Sequence, residues 1–117
     1  IRQYYPLTAI EWMQSHLPPV RVVNEYNWGG FLLWQWPESE VFIDGRTDLY
    51  GDTVMGEWME IMQCGEETAQ ILDRWDAEAL LVEPGRPVST CLLQNGWENV
   101  YQDEQAVILV RDAGLLR

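Results

Sequence analysis

The sequence predicts an α/β fold with three layers, in which a mixed, mostly parallel sheet of about five strands has helices on both faces. Short, β-branched, apolar segments alternate along the chain with segments whose apolar residues recur at helical spacing. Only a short polar stretch separates the last two strand-like segments, which predicts a C-terminal antiparallel hairpin. The length of 117 residues and the hydrophobic content of 47% fit one globular domain over residues 1–117.

The first half of the chain predicts two helices, each followed by a strand. Residues 7–17 have helical spacing, with Thr8 and Glu11 as a capping box at the start and a proline pair at the end. The next apolar run, residues 20–26, predicts a short buried strand. The sequence WGGFLLWQW fits either a strand or a helix, and its glycine pair and the following proline favour a short helix. This helix spans residues 29–36, and a second buried strand follows at residues 40–45.

The second half predicts three helices around a third strand, and then the hairpin. The helices span residues 53–63, 66–76 and 87–96, the strand spans residues 77–84, and the hairpin spans residues 97–112. The apolar faces of the first two helices are formed by Met55, Trp58, Met59 and Met62 and by Ala69, Leu72 and Trp75. We expect the tail AGLLR, residues 113–117, to fray, because the last residues of a domain are ordered only where they are tied down.

The charge of the chain excludes several classes of partner. It carries 19 acidic against 7 basic residues, a net charge of −12, and every basic residue is arginine. Such a surface repels nucleic-acid phosphates and anionic cytoplasmic lipids. The chain begins with Ile1 and contains neither a signal sequence nor an apolar run long enough to cross a membrane. We therefore expect a domain of a longer protein.

Motifs for metals, cofactors and nucleophilic catalysis are not apparent in the sequence. Cys64 and Cys91 lack metal-binding spacing, and both a disulfide and two buried thiols remain open for them. The sequence has no GxGxxG, Walker A or GxSxG motif, and His16 is its one histidine. We accordingly expect no metal and no cofactor, and a small stand-alone enzyme is the least favoured class.

Polar residues follow each of the three predicted parallel strands. They are Asn24 and Glu25 after the first, Asp44, Arg46 and Asp48 after the second, and Glu83 and Arg86 after the third. Because ligands of open α/β sheets bind beyond the carboxyl ends of the strands, we predict that these side chains form one polar rim.

Each candidate also has a purely structural interpretation. The cluster of Asp44, Arg46 and Asp48 can hold a phosphate or carboxylate, but an Asp-Gly turn with an ion pair is favoured for the isolated domain. For Asn24, capping of the following turn is favoured over ligand binding. The aromatic rings of Trp28, Trp34 and Trp36 suit a sugar face, although core or interface positions are more common for tryptophan.

The stretch YYPLTAIEWMQSHLPPVRVVNEYNWGGFLLWQWPESEVFIDGRTDLYG resembles a known family. It comprises the soluble domains of bacterial polytopic membrane proteins of the GT-C glycosyltransferase type, similar to dolichyl-phosphate-mannose–protein mannosyltransferases. The matching residues are Pro6, Asn24, Trp28, Gly29, Gly30, Phe31, Leu32, Asp44, Gly45, Arg46, Asp48 and Tyr50. Phe31 replaces the usual tyrosine. The later segments WDAEALLVE and WENVYQDEQAVILVR are also similar, so the resemblance covers nearly the whole chain.

The resemblance implies an extracytoplasmic domain, periplasmic or extracellular, that caps the active site of a glycosyltransferase using a polyprenyl-phosphate sugar donor. The catalytic acid of such proteins lies in the membrane part, so the domain would not catalyse alone. Its partners would be the transmembrane part of the same chain and the lipid-linked sugar. The implied substrate-binding residues are Asn24, Trp28, Gly29, Gly30, Asp44, Arg46 and Asp48, with Arg46 on the donor phosphate and Asp48 on an acceptor hydroxyl. The alternative is a docking module of an unrelated membrane protein.

Overall fold

The computed structural model describes residues 2–45 and 52–117, which form a mixed sheet between two layers of helices. The helices are α1 (Leu7–His16), α2 (Gly29–Gln35), α3 (Asp52–Met62), α4 (Thr68–Trp75) and α5 (Pro87–Gln94). The strands are β1 (Arg21–Asn24), β2 (Glu40–Val41), β3 (Ala79–Val82), β4 (Glu98–Gln102) and β5 (Val107–Val110). Two 3-10 turns, Tyr26–Trp28 and Ala113–Leu115, complete the described chain. The predicted α/β fold class is confirmed.

The strands lie in the order β2-β1-β3-β5-β4. β1 pairs in parallel with β2 and with β3, whereas β5 pairs antiparallel with β3 and with β4. Since β4 is antiparallel to the reversed strand β5, it runs in the same direction as β1, β2 and β3. The predicted C-terminal hairpin is therefore present, with β5 inside the sheet and β4 at the edge.

Alternating residues of the central strands face two separate cores. Val22, Leu81 and Ile108 pack with α1 and α2 on one face, and Val23, Leu80 and Leu109 pack with α3, α4 and α5 on the other. β3 and β5 are buried along their whole length because both of their faces are covered. This arrangement gives the three layers that the sequence predicts.

The second strand differs from its prediction. Residues 40–45 were expected to form a buried strand, but β2 contains two residues, is partly exposed and lies at the sheet edge. The backbone bonding continues one step, since the Phe42 amide donates to the Val22 carbonyl at 2.9 Å. Beyond that point the side chain of Asn24 replaces the neighbouring strand as hydrogen-bonding partner, so the regular ladder ends.

The predicted capping box is wrong, because α1 begins two residues earlier than the box requires. Pro6 is the N-cap and has no side-chain capping bond, which places Thr8 inside the helix. Thr8 and Glu11 instead accept hydrogen bonds from the Arg2 guanidinium, at 2.8 and 3.1 Å.

Two helix faces also differ from prediction. Met59 is 49% exposed, and Ile61 with Met62 forms the buried face of α3. In α4 the inward residues are Ile71 and Leu72, while Ala69 is exposed. In both helices the buried face is therefore rotated slightly from the face that the sequence predicts, because the packing of α3, α4 and the sheet decides which residues are covered.

The expected fraying of the C-terminal tail is also wrong. The Asp112 carboxylate accepts a hydrogen bond from the Gly114 amide at 2.8 Å and so caps the last 3-10 turn. The Arg117 amide then donates to the His16 carbonyl at 2.8 Å, which ties the chain end to the end of α1.

Of the two alternatives for the cysteines, the structure contains the disulfide. Cys64 and Cys91 are bonded, with their Cα atoms 6.5 Å apart, and the bond joins the segment after α3 to the middle of α5. Within residues 2–45 and 52–117, no helix has the length and apolar content needed to cross a bilayer.

Candidate functional site

The rim at the carboxyl ends of β1, β2 and β3 is the candidate site, and Asn24 is its structural centre. This side chain is fully buried. Its Nδ2 donates to the carbonyls of Glu25 and Ile43 at 2.9 and 2.8 Å. Its Oδ1 accepts from the amides of Phe42 and Ile43 at 3.0 and 3.3 Å. Asn24 therefore has a structural role, as its favoured interpretation stated, but it joins two strand ends rather than capping its own turn.

Gly29 allows the start of α2 to approach the segment after β2. A β-carbon at this position would overlap the Ile43 carbonyl oxygen and lie 2.8 Å from the Asp44 Cα. Gly29 is therefore required here for close approach of two backbones and not for an unusual dihedral angle. Gly30, by contrast, is exposed, and a β-carbon there would meet no atom within 4 Å. Asp44 is 8% exposed and follows directly on this contact.

A partly buried ion pair connects the ends of β1 and β3. Glu25 is 3% exposed and accepts from Arg86 through both carboxylate oxygens, at 2.8 and 2.6 Å. One of these oxygens also accepts from the Glu83 amide at 2.9 Å. The hydrogen bond that Arg86 donates to Glu25 raises the pKa of Arg86 above its ordinary value, and together with the Glu25 and Glu83 charges it outweighs the partial burial of Arg86, which lowers the pKa. The bidentate geometry fixes the loop after β3 against the end of β1.

Trp58 of α3 covers this pair. Its indole N–H donates to the Asn24 carbonyl at 2.9 Å, and the Arg86 guanidinium lies over its ring at 5.5 Å from the centroid. The sequence identified Glu25 and Arg86 as residues at strand ends without pairing them, and it assigned Trp58 to an apolar helix face. The signal available was the position of Glu25 and Arg86 at neighbouring strand ends in an acidic chain, where an arginine has a carboxylate close by.

A groove of about 390 Å³ opens at the same edge of the sheet. Its lining comes from the chain start, the rim and the hairpin turn: Gln3, Tyr4, Trp28, Glu83, Pro84, Glu104 and Gln105. Tyr4 is 76% exposed, whereas Trp28 is mostly buried and contributes only part of its ring. The groove thus combines aromatic rings with carboxylates and carboxamides, which are hydrogen-bonding groups suited to hydroxyls.

The hairpin turn that forms one wall of the groove is held by Asp103. Its carboxylate accepts from the amides of Gln105 and Ala106 at 2.7 and 2.9 Å, and also from the Tyr101 hydroxyl. Burial by itself raises the pKa of Asp103, but these three hydrogen bonds outweigh it and lower the pKa. Burial, together with the bond to Asp103 and its charge, raises the pKa of Tyr101 to about 12.

The three candidate tryptophans occupy different environments. Trp28 and Trp36 belong to the core below α2, as the structural interpretation states. Trp34 is 72% exposed on the outer side of the same helix. It continues a short aromatic stack, in which Tyr5 and Phe31 lie 4.5 Å apart and Phe31 and Trp34 lie 5.9 Å apart between ring centroids.

The structure brings four of the predicted site residues to one edge. Asn24, Trp28, Gly29 and Asp44 all lie at the rim, and the exposed Gly30 adjoins them. The two remaining residues of the prediction, Arg46 and Asp48, lie outside the described residues. In the part of the chain that the structure describes, no three histidine, cysteine or acidic side chains come together as metal ligands.

A second and larger cavity, of about 550 Å³, lies next to the disulfide. Its walls are formed by the segment between α3 and α4 and by α5 and the ends of the hairpin, including Cys64, Thr68, Cys91, Trp97 and Arg111. Arg111 forms an ion pair with Asp73 and lies 5.9 Å from the Trp97 ring centroid. This cavity is separate in its lining residues from the groove at the rim.

Comparison of the chain with protein-family models, with curated proteins and with solved structures gives no match. Functional inference for this chain therefore rests on the rim itself. Glu25 and Asp103 are engaged as hydrogen-bond acceptors within the protein, so their described roles are structural. Glu83 and Glu104 are exposed at the groove and can accept hydrogen bonds from a bound hydroxyl. The groove is thus suited to binding a ligand that carries hydroxyl groups.

Proposed function

We propose that this chain is an extracytoplasmic domain that covers the membrane-embedded active site of a glycosyltransferase using a polyprenyl-phosphate sugar donor. One observation carries the proposal: β1, β2 and β3 end at a common rim, next to a groove lined by aromatic rings, carboxylates and amides. Ligands of α/β sheets bind in this position, and small-molecule sites combine apolar rings with a few polar groups.

The chemistry of the groove favours a neutral, hydroxyl-rich group. Tyr4 offers an exposed aromatic surface for the apolar face of a sugar, and Glu83 and Glu104 accept hydrogen bonds from its hydroxyls. No cation is among the described lining residues, so a donor phosphate would be held elsewhere. Arg46 is the residue we propose for the phosphate, because guanidinium groups bind phosphate in a bidentate manner.

The disulfide and the charge support an extracytoplasmic location. Disulfides form and persist mainly in oxidising compartments such as the periplasm or the cell exterior, and the Cys64–Cys91 bond supports such a location. A domain with a net charge of −12 and no lysine also suits that side, because positively charged segments concentrate in the cytoplasm.

The phosphate contact is tested with citronellyl phosphomannose, a short-chain analogue of a lipid-linked donor. We expect it to shift the amide signals of Asn24, Trp28 and Asp44 in an NMR titration. Arg46→Ala should weaken binding about tenfold, since a hydrogen bond to a charged group contributes about 1.5–3 kcal/mol. Arg74→Ala is the matched control, because Arg74 pairs with Glu57 on the surface of α3 and α4. Equal affinities of the two variants would contradict the proposed role of Arg46.

The groove is tested separately with a panel of methyl glycosides, which carry no phosphate. Glu104→Gln should lower the affinity for the glycoside that binds best, because a carboxylate accepts stronger hydrogen bonds than an amide. Glu98→Gln is the control, since Glu98 is an exposed glutamate at the opposite end of β4. Binding of no glycoside, or equal loss in both variants, would refute a sugar site in the groove.

A docking module of an unrelated membrane protein is the second candidate, and the aromatic stack favours it. Trp34 presents apolar surface on the outer side of α2, next to the partly buried rings of Phe31 and Tyr5, which is typical of a contact with another protein surface. This function predicts that Trp34→Ser reduces co-purification with co-expressed membrane helices of the full-length protein. It also predicts that no glycoside or phosphate probe shifts the rim signals.

A further inference from the structure

The disulfide lies where an external thiol can reach it. Cys64 and Cys91 are both only partly buried, and both line the cavity of about 550 Å³. Thiol–disulfide exchange requires that an attacking thiolate reach one sulfur along the S–S axis, so access through an open cavity is the first condition for it. Structural disulfides in protein cores do not meet this condition.

The same bond joins the two helices that hold the rim together. Cys64 follows α3, which carries Trp58, and Cys91 lies in α5, which begins directly after Arg86. Trp58 donates to the Asn24 carbonyl, and Arg86 lies over the Trp58 ring while it binds Glu25. The position of α5 relative to α3 therefore sets the geometry of the partly buried ion pair.

We propose that the Cys64–Cys91 disulfide is a reversible redox-modification site that controls the rim. In the oxidised form the bond holds α5 against α3, and Arg86 neutralises Glu25. In the reduced form α5 moves away from α3 and withdraws Arg86. The Glu25 carboxylate then takes up water and releases the Glu83 amide. This inference goes beyond the proposed function and does not depend on a sugar ligand.

The reaction is a thiol–disulfide exchange with a reduced dithiol protein of the CxxC type. A thiolate of this reductant attacks one sulfur of the disulfide, which forms a mixed disulfide and releases the other cysteine as a thiolate that takes a proton from water. The second thiol of the reductant then attacks the mixed disulfide. The products are two cysteine thiols in this chain and one disulfide in the reductant, so electrons and protons balance.

The charges around the cavity select among reductants. Glu66 and Asp73 contribute two carboxylates, and Arg111 is already paired with Asp73. An attacking thiolate is an anion, and a negatively charged carrier such as glutathione is repelled further. We therefore expect cysteamine, a cationic thiol, to reduce the bond faster than glutathione at equal thiolate concentration. A faster reaction with glutathione would contradict this account of the cavity.

The coupling between the bond and the rim is tested by hydrogen exchange in the intact chain. We expect the Trp58 indole proton and the Glu83 amide proton to exchange about 5- to 150-fold faster after reduction, the range typical of coupling between two sites. The Leu109 amide, which lies in the fully buried strand β5 and touches no part of the rim, serves as the internal reference. Unchanged exchange at Trp58 and Glu83 with both thiols free, or unfolding of the whole domain on reduction, would overturn the proposal.

A second measurement determines the reduction equilibrium of the disulfide, starting from the oxidised, folded protein. If reduction of the disulfide weakens the Glu25–Arg86 ion pair by some factor, loss of the ion pair must favour reduction of the disulfide by the same factor. Glu25→Gln should therefore shift the reduction equilibrium in dithiothreitol buffers toward the dithiol. Glu11→Gln is the matched control, since Glu11 pairs with Arg2 on the surface. Equal equilibria in the two variants would show that bond and rim are independent.

Discussion

The Asn24 side chain makes hydrogen bonds to the segment after β2 that a paired strand would otherwise make. Its amide supplies both a donor and an acceptor, and it uses them on the Ile43 carbonyl and on two backbone amides of the segment after β2. Aspartate would lack the donor, and leucine would lack both functions. A short carboxamide at the end of β1 is therefore what this position requires.

Replacement of Asn24 by alanine tests this role. Asn24→Ala should lower the free energy of unfolding by about 3 kcal/mol, because the buried amide and carbonyl of Ile43 lose the Asn24 side chain as their partner. Chemical denaturation measures the change. Asn27→Ala, at an exposed position three residues away, should stay within about 0.5 kcal/mol of the parent. Equal losses in both variants would disprove the bridging role.

The adjacent glycines of α2 provide a second pair of variants. Gly29→Ala should destabilise the protein by about 2 kcal/mol, because the added carbon forces the Ile43 backbone and the start of α2 apart. Gly30→Ala should stabilise it by about 0.5 kcal/mol, since the position is open and alanine favours helix. Thermal unfolding gives both signs, and a shared sign would contradict the close approach at Gly29.

Among the elements, β2 shows how a side chain can shorten a strand. Its sequence predicts a strand of six residues, yet regular pairing ends after Val41, and the Asn24 side chain accepts hydrogen bonds from the next two backbone amides. The backbone of Ile43 and Asp44 consequently lies against the start of α2, where Gly29 leaves room for it. The irregular segment after β2 is thus held in place by specific contacts at the rim.

The disulfide should make a large contribution to stability. It closes a loop with a sequence separation of 27 residues. The loop-entropy relation for a closed loop of that size gives about 3.5 kcal/mol. Cys64→Ser/Cys91→Ser should accordingly lower the free energy of unfolding by about 3 kcal/mol in urea. An unchanged midpoint would show that the reduced chain retains the constraint by other contacts.

The hairpin turn predicts a dependence of stability on alkaline pH. The pKa of Tyr101 is raised from 10.0 to about 12, so its stabilisation is fully present below pH 10.0 and is lost as pH rises toward 12. The lowered pKa of Asp103 acts on the acid side, where its stabilisation is lost as pH falls through that pKa. Tyr101→Phe should remove the alkaline loss, which denaturation at several pH values measures. Phenolate absorbance provides an independent check of the tyrosine pKa.

At the scale of the whole molecule, charge opposes compactness. A net charge of −12 is confined to dimensions of 32 × 32 × 24 Å. The screening length falls from about 30 Å at 0.01 M salt to about 8 Å at 0.15 M, so salt removes repulsion across the whole domain. The melting temperature should therefore rise over this range of sodium chloride. A fall would mean that surface pairs such as Arg21–Glu40 outweigh the repulsion.

The sequence anticipated the site only where a general rule of α/β sheets applied. Parallel strands end at one edge, so Asn24, Asp44 and Arg86 could be expected near one another from strand assignment alone. The pairing of Glu25 with Arg86 spans 61 residues. The contact of Trp58 with both ends of the rim depends on the rotation of α3. Neither has a local signal, because both follow from how helices pack on the finished sheet.

What the sequence by itself determined is the class of the fold and the edge at which the side chains of Asn24 and Asp44 collect. Hydrophobic periodicity and proline or glycine breaks are local properties of the chain, and they specify elements without reference to distant residues. Only the tertiary structure decided the early end of β2, the bonded cysteines and the partly buried Glu25–Arg86 pair. Each of these joins residues far apart in sequence, and their geometry exists only after both layers of helices have packed on the sheet.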